Sequence, residues 1–216
     1  MILSALKETD QNETRVSVTP DSVKLLTRLG FEIIIEDGAG VLSGYENSDY
    51  KEAGAKIANR SECLKAEVCL CVRMPDSSDI SNISNSSVLI GTLNPYENKN
   101  SFSILKSNKI SSCCMELIPR ISRAQSMDVL SSQSNLAGYK AVIDATYLFN
   151  KAMPMMMTAA GTIAPAKVMV FGAGVAGLQA IATAKRLGAI VSATDVRMAA
   201  KEQVESLGGK FVMVED

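Results

Sequence analysis

The sequence contains no histidine and no tryptophan among its 216 residues, and aromatic residues make up only 5% of it. Without histidine the chain lacks the commonest general acid or base at neutral pH, so its chemistry must proceed without imidazole. The formal net charge is −1, which provides no basic patch of the kind that binds nucleic acid or an anionic membrane. We therefore expect no nucleic-acid partner.

Metal-binding and membrane-targeting patterns are also missing. The five cysteines form no C-x-x-C pair, and without histidine they complete no typical zinc set, so we expect reduced thiols and no metal. The opening MILSALKETDQNETR lacks the basic and apolar segments of a secretory signal. The longest uncharged run, Val168 to Ala184, falls short of the roughly 20 residues that span a membrane. These features favour a cytoplasmic protein.

What the sequence does contain is an alternation of helical segments and short apolar runs. Thr19 is a suitable N-cap, Pro20 suits a first helical turn and Gly30 suits a helix end. The pattern predicts strands over 31–35, 66–72, 87–93 and 109–117, helices over 20–30, 47–57, 96–106 and 136–152, and a polar loop over 73–86. Such alternation is typical of an α/β fold with parallel sheets.

The chain divides on this pattern into two Rossmann-like parallel-sheet units joined by a long helix. We assign residues 1–133 to an N-terminal α/β domain, 134–166 to a connecting helix and loop, and 167–216 to the first half of a dinucleotide-binding domain. The methionines around Pro154 are interpreted as gap-filling core, with a pocket or partner surface as the alternative.

The stretch KVMVFGAGVAGLQAIATAKRLGAIVSATDV carries the most specific local motif. A strand over 168–171 leads into G-x-G-x-x-G at Gly172, Gly174 and Gly177, and a helix follows over 175–187. In this context the first glycine permits the tight turn, the second lets a pyrophosphate approach the backbone, and the third lets helix and strand pack closely. The phosphates would lie at the helix N-terminus.

Asp195 ends the next predicted strand, near the roughly 20-residue separation at which an acid binds the adenosine ribose. A carboxylate there accepts a hydrogen bond from a free 2′-hydroxyl and repels a 2′-phosphate, so we expect NAD rather than NADP. The nearby positive charge of Arg197 would weaken this preference for NAD. The alternative is that the glycines only permit packing and Asp195 caps the following helix.

Three stretches, PRISRAQSMDVLSSQSNLAGY, MMMTAAGTIAPAKVMVFGAGVAGLQAIATAKRLGAIVSATDVR and KEQVESLGGKF, carry a family resemblance. Together they closely resemble the NAD(H)-binding first domain of the alpha subunits of proton-translocating NAD(P) transhydrogenases. The resemblance implies Re/Si-specific hydride transfer from NADH on this domain to NADP⁺ on an NADP(H)-binding beta subunit, coupled to proton translocation through a membrane component. It also implies a homodimer that is peripheral to the inner membrane.

The resemblance further assigns site residues. It implies that Arg120, Gln125 and Asp128 act at the nicotinamide end of the cofactor, where Gln125 hydrogen-bonds a carboxamide or ribose hydroxyl. The remaining cofactor-binding positions that it implies, besides the three glycines and Asp195, are Ser131, Tyr139, Val175, Ala176, Val196 and Arg197. From composition alone the 118–135 segment would instead be a solvated connector, with Arg120 or Arg123 paired to Asp128 and Ser131 capping the next helix.

Alanine dehydrogenases share the fold, and their opening E-x-R-V pattern is similar to residues 13–16. Their lysine and histidine fall on Arg73 and Asn94 here, so the catalytic pair is missing and Arg15 is interpreted as an ion-pair partner.

The sequence ends just after a predicted third strand, so we expect the second unit to be truncated after about three strands. The strand at 168–171 would then lie at an exposed edge, which invites association. Three origins fit this pattern: a split-gene product completed by another chain, a shortened gene product, and a remnant.

Two functions fit the sequence. One is the NAD(H)-binding portion of the enzyme, inactive without the missing half-domain and partner subunits; the other is a non-catalytic fragment or scaffold.

Overall fold

The computed structural model describes residues 1–213 and contains two compact units that meet in the sequence between Met127 and Asp128. Among the described residues, no helix combines the length and apolar character needed to cross a bilayer.

The first unit is built on a six-stranded sheet in which all neighbouring strands are parallel. The strands are β1 (Ile2–Ala5), β2 (Glu32–Glu36), β3 (Lys56–Ala58), β4 (Val68–Arg73), β5 (Val88–Thr92) and β6 (Ser111–Cys114). The helices are α1 (Pro20–Arg28), α2 (Asn47–Glu52), α3 (Arg60–Cys63), α4 (Ser77–Asn82) and α5 (Lys99–Ser107). The spatial order β3-β2-β1-β4-β5-β6 reverses between β1 and β4, the position at which α/β sheets form a ligand crevice.

Apolar side chains alternate across this sheet and form two buried clusters. Ile33 and Ile35 on β2 belong to one cluster, whereas Ile34 between them packs against the other. A fully buried Tyr50 joins the first cluster, and its hydroxyl donates to the carbonyl of Val18 at 2.9 Å. The continuous apolar character of these strands follows from burial of both faces.

Helix α1 agrees with its sequence signals. Thr19 is the N-cap and accepts a hydrogen bond from the Ser22 amide at 3.3 Å. Pro20 occupies the first turn, and Gly30 follows the helix with φ +89°, a left-handed value that favours glycine.

Several elements of this unit differ from the sequence predictions. The helix predicted over 47–57 ends at Glu52, and Lys56–Ala58 is an edge strand of the sheet. The predicted loop over 73–86 contains α4, and β1 was not predicted at all. The two missed strands are short and pair with β2, a partner distant in sequence, so no local pattern marks them.

The second unit contains a long helix, a hairpin and a three-stranded parallel sheet. Its elements are α6 (Val129–Leu148), β7 (Met156–Thr158), β8 (Gly161–Ile163), β9 (Lys167–Phe171), α7 (Val175–Arg186), β10 (Ile190–Thr194), α8 (Ala200–Ser206) and β11 (Lys210–Phe211). The sheet order is β11-β10-β9, so β9 lies at an edge of the described sheet. Residues 214–216, at the end of the sequence, lie outside the described residues.

Helix α6 begins earlier than the spacing of its apolar residues predicted, because Asp128 caps it. The Asp128 carboxylate accepts hydrogen bonds from the amide and hydroxyl of Ser131, at 2.9 and 2.6 Å. Farther along, α6 crosses α7 closely at Gly138, where a Cβ would lie 2.1 Å from the Ala176 carbonyl oxygen. No larger residue fits at that crossing.

The methionine cluster does not form a continuous core. Met153 is buried, whereas the side chains of Met155, Met156 and Met157 are exposed on and beside the antiparallel β7–β8 hairpin. The core interpretation therefore holds for Met153 only. The hairpin itself was not predicted, because each of its strands is only three residues long.

Candidate nucleotide-binding site

The turn between β9 and α7 has the backbone geometry that the glycine motif predicted. Gly172 follows β9 with φ +95°, in the left-handed region that other residues rarely adopt. Its amide donates to the Thr194 carbonyl at 2.8 Å, which ties the turn to the end of β10.

The other two glycines of the motif have opposite surroundings. A Cβ at Gly177 would lie 1.8 Å from the Gly172 carbonyl oxygen, so α7 can pack on the turn only if this residue has no side chain. Gly174 has φ −79°, and a Cβ there would meet none of the described groups within 4 Å. The structure therefore requires glycine at 177, while at 174 it leaves open space in front of the backbone.

That open space lies at the N-terminus of α7, where Gly174 is the N-cap and Val175 begins the helix. The first amides of a helix have no intrahelical acceptor and carry the positive end of the helix dipole, so they attract a phosphate group. Val175 is exposed and Ala176 is half-buried, so both contribute backbone to this surface. These residues fit a dinucleotide diphosphate: the turn is tight, the space is open and the amides point outward by helix geometry.

Asp195 is held beside this turn by backbone and side-chain hydrogen bonds. Its Oδ2 accepts from the Ala173 amide at 2.7 Å and from Arg197 Nη2 at 3.1 Å. Its Oδ1 accepts from the Arg197 amide at 2.8 Å and from Arg197 Nε at 2.9 Å. The Arg197 side chain and the two amides lower the pKa of Asp195 below its ordinary value, so this carboxylate stays ionised at neutral pH.

Asp195 does not serve as a helix cap. Helix α8 begins at Ala200, with Ala199 at its N-cap and no side-chain capping bond. Of the two local alternatives, close packing is present at Gly177, but the capping role for Asp195 is wrong. Val196, the next residue, is 95% exposed beside the acid.

The residues assigned to the nicotinamide end are divided between the two units. Arg120 and Gln125 belong to the first unit and are exposed, and Gln125 lies in a 3₁₀ segment, Ser122–Met127. Asp128 and Ser131 form the α6 cap in the second unit, and Tyr139 is exposed on the same helix. The capping role falls to Asp128 rather than to Ser131.

Sequence reasoning missed the contribution of Ala173. It is buried between two motif glycines, and its amide orients the acid. Its contribution is a backbone group, which any residue type except proline would supply, so the sequence carried no signal for it.

A second concave site lies at the carboxyl edge of the first sheet, with a volume of about 390 Å³. Arg73 and Asn94 both line it. Arg73 Nε bonds to the buried Glu13 at 2.8 Å, and Asn94 donates its side-chain amide to Glu97 at 2.5 Å. Arg15 also bonds to Glu13, through Nε and Nη2 at 2.7 Å each, in agreement with its interpretation as an ion-pair partner. Arg73 is thus already ion-paired within the protein.

Comparison with known families matches both regions of the chain. The family model described as "Alanine dehydrogenase/PNT, N-terminal domain" matches residues 4–137, and "Alanine dehydrogenase/PNT, C-terminal domain" matches residues 141–216.

Individual relatives agree with the family models. An NAD(P) transhydrogenase subunit alpha polypeptide of Rhodospirillum rubrum is 53% identical over 100% of this chain and 58% of its own length. The crystal structure of transhydrogenase from Sinorhizobium meliloti superimposes with a TM-score of 0.96 at 54% identity, over 99% of this chain and 64% of that one. An L-alanine dehydrogenase structure shares the fold, with a TM-score of 0.86 at 23% identity, over 98% of this chain and 60% of that one. The chain thus spans somewhat more than half the length of these relatives.

Proposed function

Because the chain belongs to the alanine dehydrogenase/PNT family, we propose that it is the NAD(H)-binding portion of a proton-translocating NAD(P) transhydrogenase. In this proposal it positions NADH for direct, Re/Si-specific hydride transfer to NADP⁺ on a beta subunit, with proton translocation through a membrane component. Similarity to the transhydrogenase alpha-subunit polypeptide of R. rubrum supports the assignment.

One observation carries the proposal most directly. The Asp195 carboxylate is bonded to the Ala173 amide at 2.7 Å, which holds the acid against the glycine turn that begins α7. Amides suited to a phosphate and a carboxylate suited to a ribose thus lie together at the end of β9 and β10, as a dinucleotide requires.

The protein residues would act by position and charge. NADH, when bound, supplies the hydride, and a second nicotinamide ring accepts it. Gly174 leaves room for the diphosphate, the first turn of α7 neutralises some of its charge, and Asp195 accepts a ribose hydroxyl. The nicotinamide end would be oriented by Arg120, Gln125, Asp128, Ser131 and Tyr139. None of these steps needs a protonatable side chain, which suits a chain without histidine.

We further propose that a segment of another polypeptide, or of a longer chain, completes the sheet beside β9. The Phe171 side chain is 81% exposed at this edge, and Met169 is exposed with it. An apolar cavity of about 520 Å³ lies between α6 and β9, lined by Val142, Phe149 and Val170 among others. An added strand would satisfy the open edge and cover this cavity.

Contacts with other copies and subunits form the rest of the proposal. The exposed methionines of the β7–β8 hairpin, together with exposed Ile163, offer an apolar surface for a homodimer. The beta subunit and membrane component would attach the protein peripherally to the inner membrane. The functional boundaries at residues 133 and 166 also belong to the proposal.

Two alternatives make different predictions. A non-catalytic fragment or scaffold would keep the exposed edge and hairpin as contact surfaces but would bind no nucleotide. An alanine dehydrogenase-like oxidoreductase would need cationic groups free to hold an oxo acid, whereas Arg73 is paired with Glu13 and position 94 is asparagine.

The experiment that tests the proposal substitutes Gly174→Ala and measures NADH affinity by calorimetry. The backbone at 174 suits alanine and its Cβ meets none of the described groups, so the fold should be unchanged. The methyl group would occupy the space in front of the helix amides, and we expect about ten-fold weaker NADH binding, equivalent to roughly 1.4 kcal/mol.

A matched control is Gly30→Ala, a glycine-to-alanine change in the first unit that also places its Cβ in open space. The left-handed φ at Gly30 makes this variant less stable by about 1 kcal/mol, so it controls for lost stability away from the site. Its NADH affinity should equal that of the wild type.

The complete reaction provides the second readout. The wild-type chain, supplied with the NADP(H)-binding subunit and the complementary segment, should transfer hydride from NADH to NADP⁺. Absence of NADH binding in this folded, completed assembly would overturn the proposal and favour the scaffold.

A further inference from the structure

The carboxylate of Asp195, which would bind a ribose hydroxyl, already accepts four hydrogen bonds from the protein. Each Asp195 oxygen accepts two hydrogen bonds, one from a backbone amide and one from the Arg197 guanidinium. A carboxylate offers about four acceptor positions, so all of them are used. The Asp195 side chain is only 6% exposed, whereas the Arg197 side chain that covers it is 62% exposed.

The two kinds of bond differ in how readily they can be exchanged. The amides of Ala173 and Arg197 belong to the folded backbone and fix the position of the carboxylate. The guanidinium is on an exposed side chain, which can turn away from the carboxylate without any change in the backbone. A ligand hydroxyl can therefore replace the guanidinium bonds while the backbone bonds keep the acid in place.

From this geometry, and resting on the nucleotide site proposed above, we propose that Arg197 is a specificity-determining latch. It closes over Asp195 in the free protein and competes with the ribose hydroxyl for the same oxygens. Its effect on a 2′-phosphate is the reverse, because such a group donates no bond to the carboxylate and pairs with the guanidinium instead. Arg197 thus lowers affinity for NAD(H) and raises affinity for NADP(H).

The test compares ADP-ribose with 2′-phospho-ADP-ribose, two probes that differ only at the 2′ position. Calorimetric titrations use the full chain, completed with the complementary segment, as wild type and as Arg197→Ala. We expect the variant to bind ADP-ribose about two- to five-fold more tightly, the range expected for removal of an exposed ion pair. It should bind 2′-phospho-ADP-ribose more weakly by a similar factor. The gain for ADP-ribose should shrink in about 1 M KCl, where salt screens the ion pair in the wild type.

Two further variants separate the latch from a general effect of charge. Arg186→Ala removes an exposed arginine from the last turn of α7, at the far end of that helix from the site, and should leave both affinities unchanged. Arg197→Lys keeps the charge but not the two-pronged geometry, so it should gain affinity for ADP-ribose and keep most of its affinity for the phosphorylated probe.

A spectroscopic measurement reports the latch itself. The Arg197 Nε–H resonance in a ¹⁵N spectrum should show slow exchange in the free protein and faster exchange when ADP-ribose is added. If Arg197→Ala weakens both probes, Arg197 is an ordinary ligand of the nucleotide and the latch is wrong, although the proposed function stands. If neither wild type nor variants bind either probe, the proposed function fails, and the latch with it.

Discussion

The two sheets reach the same topological position with opposite chemistry. In each sheet three strands lie side by side in the reverse of their chain order, β3-β2-β1 in the first unit and β11-β10-β9 in the second. The two connections that differ follow the carboxyl ends of β1 and β9. In the first unit the connection after β1 carries Glu8, whose carboxylate accepts hydrogen bonds from the amides of Val72 and Arg73 at 2.6 and 3.0 Å. In the second unit the connection is the glycine turn, which leaves the first amides of α7 for a ligand.

The comparison teaches that the fold does not select the site. A parallel sheet offers a crevice where its strand order reverses, but in the first unit Glu8 and Arg73 line that crevice, and Arg73 is already paired with Glu13. The second unit differs by having three glycines and one acid. The difference can be tested by changing either region and measuring stability and binding separately.

The largest expected effect comes from Gly177→Ala. Its Cβ would lie 1.8 Å from the Gly172 carbonyl oxygen, a backbone atom that cannot move aside without disturbing the turn. We expect a loss of about 3 kcal/mol in the free energy of unfolding of the second unit, as for severe overpacking. Hydrogen exchange of the β10 amides measures it, with the β1 amides as an internal reference.

The matched control for that change is Gly174→Ala, three residues earlier on the same turn. It should change the unfolding free energy by less than about 0.5 kcal/mol. Equal destabilisation by the two substitutions would show that the turn tolerates no Cβ anywhere, and the contrast between a packing glycine and a ligand glycine would be lost.

In the first unit the corresponding test is Glu13→Gln. The Glu13 side chain is 4% exposed and bonds to both Arg15 and Arg73. The amide cannot satisfy two guanidinium groups, so we expect a loss of about 2 kcal/mol, the range for hydrogen bonds to charged groups. Urea unfolding at neutral pH measures it, and Asp21→Asn, an exposed carboxylate paired with Lys24, serves as the control.

The same variant has a defined pH dependence. The Arg15 side chain lowers the pKa of Glu13 from 4.5 to about 2. A depressed pKa means that the stabilisation is fully present above the unfolded value and is lost as the pH falls from about 4.5 towards 2. The gap in unfolding free energy between wild type and Glu13→Gln should therefore be constant around neutral pH and narrow in acid. A gap that stays constant down to about pH 2.5 would contradict the assignment.

The sequence predicted the second unit better than the first for a physical reason. The strand at β9 and the helix at α7 were each located to within one residue, because glycines and an apolar run mark their boundaries locally. The strands β1 and β3 and the helix α4 were missed. Each is short, and the two strands gain stability from neighbours in the sheet rather than from their own residues.

The site divides in the same way. The three glycines and Asp195 were predictable, since a left-handed turn and a ribose acceptor require particular residue types. The arginine bonds that cover Asp195 and the buried state of Glu13 were not, because each depends on which charges the fold brings together. The roles of Arg120 and Gln125 rest on family resemblance and stay predictions.

A smaller effect than the losses of stability above is expected on cofactor preference, and Asp195→Asn measures it. The neutral amide no longer repels a 2′-phosphate and loses one acceptor for the ribose hydroxyl. We expect the preference for NADH over NADPH to narrow about ten-fold, equivalent to roughly 1.4 kcal/mol. Dissociation constants for the two nucleotides give the ratio directly.

Asp144→Asn provides the control, since it removes the same charge from an exposed position on α6, where Asp144 pairs with Lys140. That substitution should leave the ratio unchanged, because an exposed charge away from the turn is screened by solvent and salt. If both variants narrow the preference equally, the discrimination arises from the net charge of the second unit. The acid at the end of β10 would then have no more influence on the nucleotide than the charged edge of the first sheet.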